Sequence, residues 1–147
     1  MRQQSHEATF DTTPETIFDL LIRPSAIRAW WSAHSAIVQP QSSGIWAATW
    51  GELEDDPDYI GSAQISTFDR PHRLVLTNYR YYARSGPLPF DANFSVTFDV
   101  QASSEGAVLH ITQSGFPDAP EASAFFEGCN VGWKATLDGI RKYLHDH

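Results

Sequence analysis

The feature that most constrains this chain is a change of hydrophobic period. Across residues 35–116 apolar side chains recur at every second position, and from about 120 to 145 they recur at every third and fourth. The clearest stretch runs from Asn93 to Val100: Phe94, Val96, Phe98 and Val100 fall on one face, and Asn93, Ser95, Thr97 and Asp99 fall on the other. Such alternation marks an antiparallel strand with one dry face and one wet one. Ile45–Trp50, Tyr59–Phe68, Arg73–Tyr82 and Val108–Ser114 read as further strands. They are linked by turn-forming segments such as Asp69-Arg70-Pro71-His72 and Ser103-Ser104-Glu105-Gly106. In the last segment Phe126, Cys129, Trp133, Leu137, Ile140 and Leu144 make one apolar stripe on a helix roughly 35–40 Å long. A meander followed by one long amphipathic helix is an α+β design, a curved antiparallel sheet of about six or seven strands packed on that helix. At 147 residues the chain fits one domain, residues 1–147.

The N-terminal part adds a short strand over residues 4–10 and two short helices. Thr13-Pro14-Glu15 is a helix start: a hydroxyl to cap, a proline at the first helical position and an acid at the positive end of the dipole. Ile17, Phe18, Leu20 and Leu21 supply its apolar stripe, Arg23-Pro24 breaks it, and residues 25–31 restart as a second helix ending in Trp30-Trp31. Adjacent helical positions point about 100° apart, so one of the two tryptophans is expected inside and the other at a cavity entrance or a subunit contact. Net charge is −8, which argues against nucleic acid and against an anionic membrane surface as partners. Cys129 is the only cysteine, so no internal disulfide forms. With no leader-like apolar segment at the start, the cytoplasm is the expected compartment.

The order of elements resembles the helix-grip fold of the START-like (SRPBCC) superfamily, the birch-pollen-allergen type. Glu15-Thr16-Ile17-Phe18-Asp19-Leu20-Leu21 with Ile27-Arg28-Ala29-Trp30-Trp31 resembles the start of its AHSA branch, the homologues of the activator of a heat-shock-protein ATPase. Gly61, Arg70-Pro71-His72-Arg73-Leu74, Val96-Thr97-Phe98, Thr112-Gln113-Ser114-Gly115-Phe116-Pro117, and Gly132-Trp133 with Leu137, Ile140, Tyr143 and Leu144 extend the likeness over nearly the whole chain. The resemblance implies an apolar molecule held between the long helix and the sheet. It implies no catalytic residue, since no catalytic motif defines the branch. The chaperone activity belongs to larger proteins with a further domain. This chain departs from the branch's pattern at Asn78, where Trp is common, and at Gln113, where His is common.

On these registers Trp46, Trp50, Phe94, Phe98, Phe126 and Trp133 converge on the interior between helix and sheet, as core filling or as cavity lining. Asn78 and Gln113 point into the same space, to orient a ligand's polar end or to bond each other or water. Cys129 lies on the buried stripe, as an inert small hydrophobe or as part of the lining. Gly132, beside Trp133, leaves room. Residues 84–91, with Leu88 and Phe90, read as a lid or as an ordinary surface connection. The acidic run Glu52, Glu54, Asp55, Asp56 and Asp58 lacks the glycine and terminal glutamate of a calcium loop and reads as a solvated turn. His6, His34, His72, His110, His145 and His147 form no ligand motif, so no metal is expected. No cofactor motif is present either. Ser32 and Ser114 have no triad spacing. The favoured function is binding of a small hydrophobic or aromatic molecule. The alternatives are an enzyme of cyclase or dehydratase type, with Glu52 or Asp58 as acid or base, and a chaperone-associated interaction module. Monomer and homodimer both stay open.

Overall fold

The computed structural model describes all 147 residues. Strand β1 (Arg2–Phe10) is followed by helices α1 (Pro14–Ile22) and α2 (Pro24–Trp30). Strands β2 (Ser35–Val38), β3 (Ile45–Trp50), β4 (Tyr59–Asp69), β5 (Arg73–Ala83), β6 (Phe94–Ser103) and β7 (Gly106–Phe116) come next. A single 3₁₀ turn (Pro120–Ala122) leads into α3 (Ser123–Asp146). The seven strands form one antiparallel sheet in the order β1-β7-β6-β5-β4-β3-β2. This is the expected helix-grip arrangement. Four boundaries differ from the sequence reading. β1 begins at Arg2, β7 continues through Gly115 to Phe116, α3 starts only after the 3₁₀ turn, and β2 is a four-residue edge strand too short to show its own period. No helix is long and apolar enough to cross a membrane.

Tryptophans tie the short helices to the sheet. The last carbonyls of a helix have no intrahelical partner. At the end of α1 the Trp30 indole donates to the Leu20 carbonyl at 2.7 Å, and the Trp46 indole on β3 donates to Leu21 at 3.0 Å. Beyond α2 the Trp50 indole donates to the carbonyl of Trp31 at 3.0 Å. Thr13 caps the other end of α1, its hydroxyl accepting the Thr16 amide. The hairpin of β6 and β7 closes at Gly106, whose φ of +131° only glycine adopts freely and whose Cα faces the carbonyl of Phe10 too closely for any side chain.

Helix α3 is fastened along β1. Gln4 donates to the Phe126 carbonyl at 2.9 Å, and Arg141 donates to that of Thr9 at 3.1 Å. Two guanidinium groups lie over rings there, Arg2 on Phe126 at 4.7 Å and Arg141 on Phe10 at 4.9 Å. Trp133, Leu137 and Ile140 turn the helix's apolar stripe onto the core. With the helix held at the β1 side, its first half stands away from β3, β4 and β5.

Candidate functional site

That separation is a cleft of about 570 Å³ between the first half of α3, the facing ends of β3–β5 and the loop after β5. Such a volume lies in the range of small-molecule sites, roughly 300–1,000 Å³. Helix α3 presents two ridges to it. Phe125, Cys129 and Trp133 form one, and Ala124, Gly128, Gly132 and Thr136 form the other. The second ridge carries only small residues at four-residue spacing, and with Ala124, Gly128 and Gly132 exposed it leaves that side of the cleft open. A Cβ placed on Gly128 or Gly132 would meet no atom within 4 Å. The opposite walls are Trp31, Trp50, Tyr79 and Tyr81, and Leu88 from the loop covers one side. Exposed Tyr59 and Tyr82 stand at the mouth.

The walls are held by aromatic contacts. Trp31 stacks on buried Trp30 at 4.7 Å and meets Trp50 edge-on at 5.5 Å. Of the adjacent pair, Trp30 is therefore the one inside and Trp31 the one in the cleft. Tyr81 touches Tyr79 at 4.8 Å, Phe125 at 5.1 Å and Phe94 at 5.5 Å. Phe90, paired with Phe125 at 5.8 Å, anchors the loop that carries Leu88.

The expected site residues separate into three groups. Trp50, Cys129 and Trp133 line the cleft, and so does Gly132. Trp46, Phe94 and Phe98 are almost fully buried one layer behind it, touching Trp31, Tyr81 and Trp133 respectively. Phe126 turns the other way, toward β1, with Phe116 at 4.9 Å; its neighbour Phe125 takes the place in the cleft. The two amides require correction. Gln113 is fully buried and already satisfied: it donates to the Tyr81 hydroxyl at 3.0 Å and accepts from the Trp133 indole at 2.7 Å. It neither bonds Asn78 nor offers itself to a ligand. Asn78 is exposed and points out of the interior. The cause is a bulge in β5, where the pairing with β6 slips between Leu76 and Tyr79 and Asn78 takes a left-handed φ of +50°. Asparagine tolerates that conformation better than most residues. The extra residue reverses the alternation, so Leu74 and Leu76 face in, and after the bulge Tyr79 and Tyr81 do.

The lining residues that sequence reasoning missed are Tyr79 and Tyr81, which the bulge turns inward, and Phe125, which the ridge of α3 carries into the cleft. Burial pushes the hydroxyls of Tyr79 and Tyr81 well above the ordinary phenol range, so both stay protonated. Burial likewise raises the Cys129 thiol to about 11, with hydrogen-bonding contact to Tyr81 and Gln113 pulling weakly the other way. Cys129 is thus a thiol and not a thiolate at neutral pH. Glu52 and Asp58 do not line the cleft. Asp58, with Asp56, is instead paired to Arg84, which closes the acidic turn onto the end of β5.

Fold and cleft define a helix-grip domain with an aromatic interior. Residues 11–145 match the family described as activator of Hsp90 ATPase homolog 1-like protein, and the chain belongs to that family. Among solved structures it is similar to protein MLL2253 from Mesorhizobium loti, with 21% identity, 99% of this chain and 98% of that one covered, and a TM-score of 0.78. CalU16 from Micromonospora echinospora is 15% identical, with 96% and 72% covered and a TM-score of 0.62. DynU16, from the dynemicin biosynthetic locus, is 12% identical with a TM-score of 0.77, and the match covers 97% of this chain and 47% of that one. These likenesses are of fold. No curated protein matches the chain.

Proposed function

We propose that this protein binds a small hydrophobic or aromatic molecule in the cleft between α3 and β3–β5, acting in the cytoplasm. The observation that carries this reading is the ridge of Ala124, Gly128, Gly132 and Thr136. Two glycines in a helix interior each cost about 1 kcal/mol relative to alanine, and here they face open space walled by aromatic rings. Covering about 250 Å² of apolar ligand surface supplies about 6 kcal/mol before the costs of association. The origin of the similarly folded DynU16 in a biosynthetic locus agrees with a small molecule as the occupant.

Two measurements test it. Native mass spectrometry of freshly purified protein should show a small-molecule adduct or, after stripping, uptake of an apolar probe such as 2-ethylanthracene. Gly132→Leu should abolish uptake while leaving the circular dichroism spectrum unchanged. Wild-type affinity in a folded Gly132→Leu protein would refute the reading.

A further inference from the structure

The cleft is uncharged. None of its lining residues is an aspartate, glutamate, lysine, arginine or histidine. A buried ion needs a partner, and without one its transfer from water costs several kcal/mol. Such a space suits a neutral occupant.

The Tyr59 and Tyr82 hydroxyls stand exposed at the mouth, and most of the polar groups farther in are committed to the protein. The Trp50 indole donates to the Trp31 carbonyl, the Trp133 indole to Gln113, and the Thr136 hydroxyl to the Gly132 carbonyl. The Tyr81 hydroxyl accepts from Gln113 and directs its own proton to the Cys129 sulfur, with which it is in hydrogen-bonding contact. The hydroxyl of Tyr79 is different. The residue is 6% exposed and lines the cleft, and its oxygen has no hydrogen-bond partner in the protein yet is not sealed from solvent; the one sealed, unpartnered side-chain polar atom is Arg2 Nε. Buried hydroxyls are ordinarily satisfied, and this one, open only to the cleft, is left for water or a ligand to satisfy. Two features hold it in place. Its ring is braced between Trp46 at 6.0 Å and Tyr81 at 4.8 Å. Across the sheet, residue 61 is a glycine, where any Cβ would collide with the Tyr79 hydroxyl oxygen. Gly61 thus gives the hydroxyl its place, and the β5 bulge turns the ring toward the cleft.

We propose that the Tyr79 hydroxyl is the recognition donor of the cleft, and that the ligand is an uncharged aromatic molecule whose carbonyl oxygen accepts its proton. This rests on the cleft being a ligand site and adds the chemical class of the ligand. Burial keeps the phenol protonated, so it serves as donor throughout the neutral range. A carbonyl oxygen suits it because it accepts without bringing charge. A carboxylate would also accept, but no cation in the cleft compensates its burial.

Three probes of one ring system separate the possibilities: 2-acetylanthracene, 2-ethylanthracene and 2-anthracenecarboxylate. Each is titrated into wild type and Tyr79→Phe, following quenching of tryptophan emission from Trp31, Trp50 and Trp133. One net hydrogen bond corresponds to about fivefold to tenfold in affinity. Wild type should therefore prefer the ketone to the ethyl compound by that factor, Tyr79→Phe should bring the two within about twofold, and the carboxylate should bind most weakly. Because the hydroxyl bonds nothing in the protein, Tyr79→Phe should keep its thermal midpoint, and a loss of fold would count against the hydroxyl's being unpartnered. Equal affinity of ketone and ethyl compound in wild type overturns the inference and leaves the ligand site standing. A preference that persists in Tyr79→Phe, or tightest binding of the carboxylate, overturns it as well. If none of the probes binds, the ligand site falls and the inference falls with it.

Discussion

Replacing the cleft-facing glycines of α3 with alanine should make the protein more stable and a poorer binder. Gly128 and Gly132 lie within the 24-residue α3, and a Cβ at either meets nothing within 4 Å. No steric penalty then offsets the propensity gain, which is about 0.8–1 kcal/mol per site in a helix interior. Part of that gain comes from restricting the unfolded chain, so the double variant Gly128→Ala/Gly132→Ala is expected to gain about 1–2 kcal/mol. For a domain of this size that raises the thermal midpoint by about 3–6 °C. Gly139 supplies the control on the same helix. There a Cβ would sit 3.2 Å from the Trp30 carbonyl oxygen, so Gly139→Ala should gain nothing or lose stability. Urea and thermal unfolding followed by circular dichroism read all three proteins. Binding of 2-ethylanthracene should weaken in the double variant, whose two methyl groups enter the cleft, and stay unchanged in Gly139→Ala. Stabilisation at position 139 equal to that at 128 and 132 would refute the steric argument. Stabilisation of the double variant with undiminished binding would refute the claim that the glycines keep space for a ligand.

Three other perturbations follow from the same contacts. Gln113→Met leaves the buried Trp133 indole and Tyr81 hydroxyl without their partner, and should cost about 2–3 kcal/mol in urea unfolding. At the bulge, Asn78→Gly should change stability by only a few tenths of a kcal/mol, whereas Asn78→Val, β-branched at a left-handed φ, should cost about 1–3 kcal/mol by the same assay. His6, hydrogen-bonded to Gln4 at 2.8 Å between β1 and α3, has its pKa lowered by burial and by Lys134. The unfolded chain therefore takes up this proton first as pH falls. The stability linked to His6 is complete above the ordinary imidazole pKa of about 6.5 and is lost as pH falls toward its lower folded value. His6→Gln should flatten that part of the stability profile between pH 7 and 5.

How far the residues announce this structure depends on how local each determinant is. The strands of β6 and β7, the cap at Thr13 and the stripe through Trp133, Leu137 and Ile140 are set by neighbours a few positions away, and all were legible. The cleft was legible only in part, because its position depends on where α3 is pinned. Gln4, Arg2 and Arg141 do the pinning, across sequence separations that no periodicity reports. Phe125 and Phe126 look interchangeable in the sequence, and only the lean of the helix toward β1 sends one to the cleft and the other away from it.

The β5 bulge has the larger chemical consequence. Unbroken alternation from Leu74 and Leu76 would carry Asn78, Arg80 and Tyr82 inward, placing an amide and a guanidinium in the interior. An unpaired guanidinium there would exclude neutral apolar cargo and favour an anion. With one residue inserted, Asn78 and Arg80 turn to solvent, and Tyr79 and Tyr81 turn into the cleft. A clue is present in the local sequence: Asn78 is a residue suited to left-handed backbone, and Tyr79-Arg80-Tyr81 resumes the alternation in the opposite phase. The shift of phase at Asn78 thus decides the sign of the chemistry, giving a cleft without charge in which the inward-turned phenol of Tyr79 has no partner in the protein.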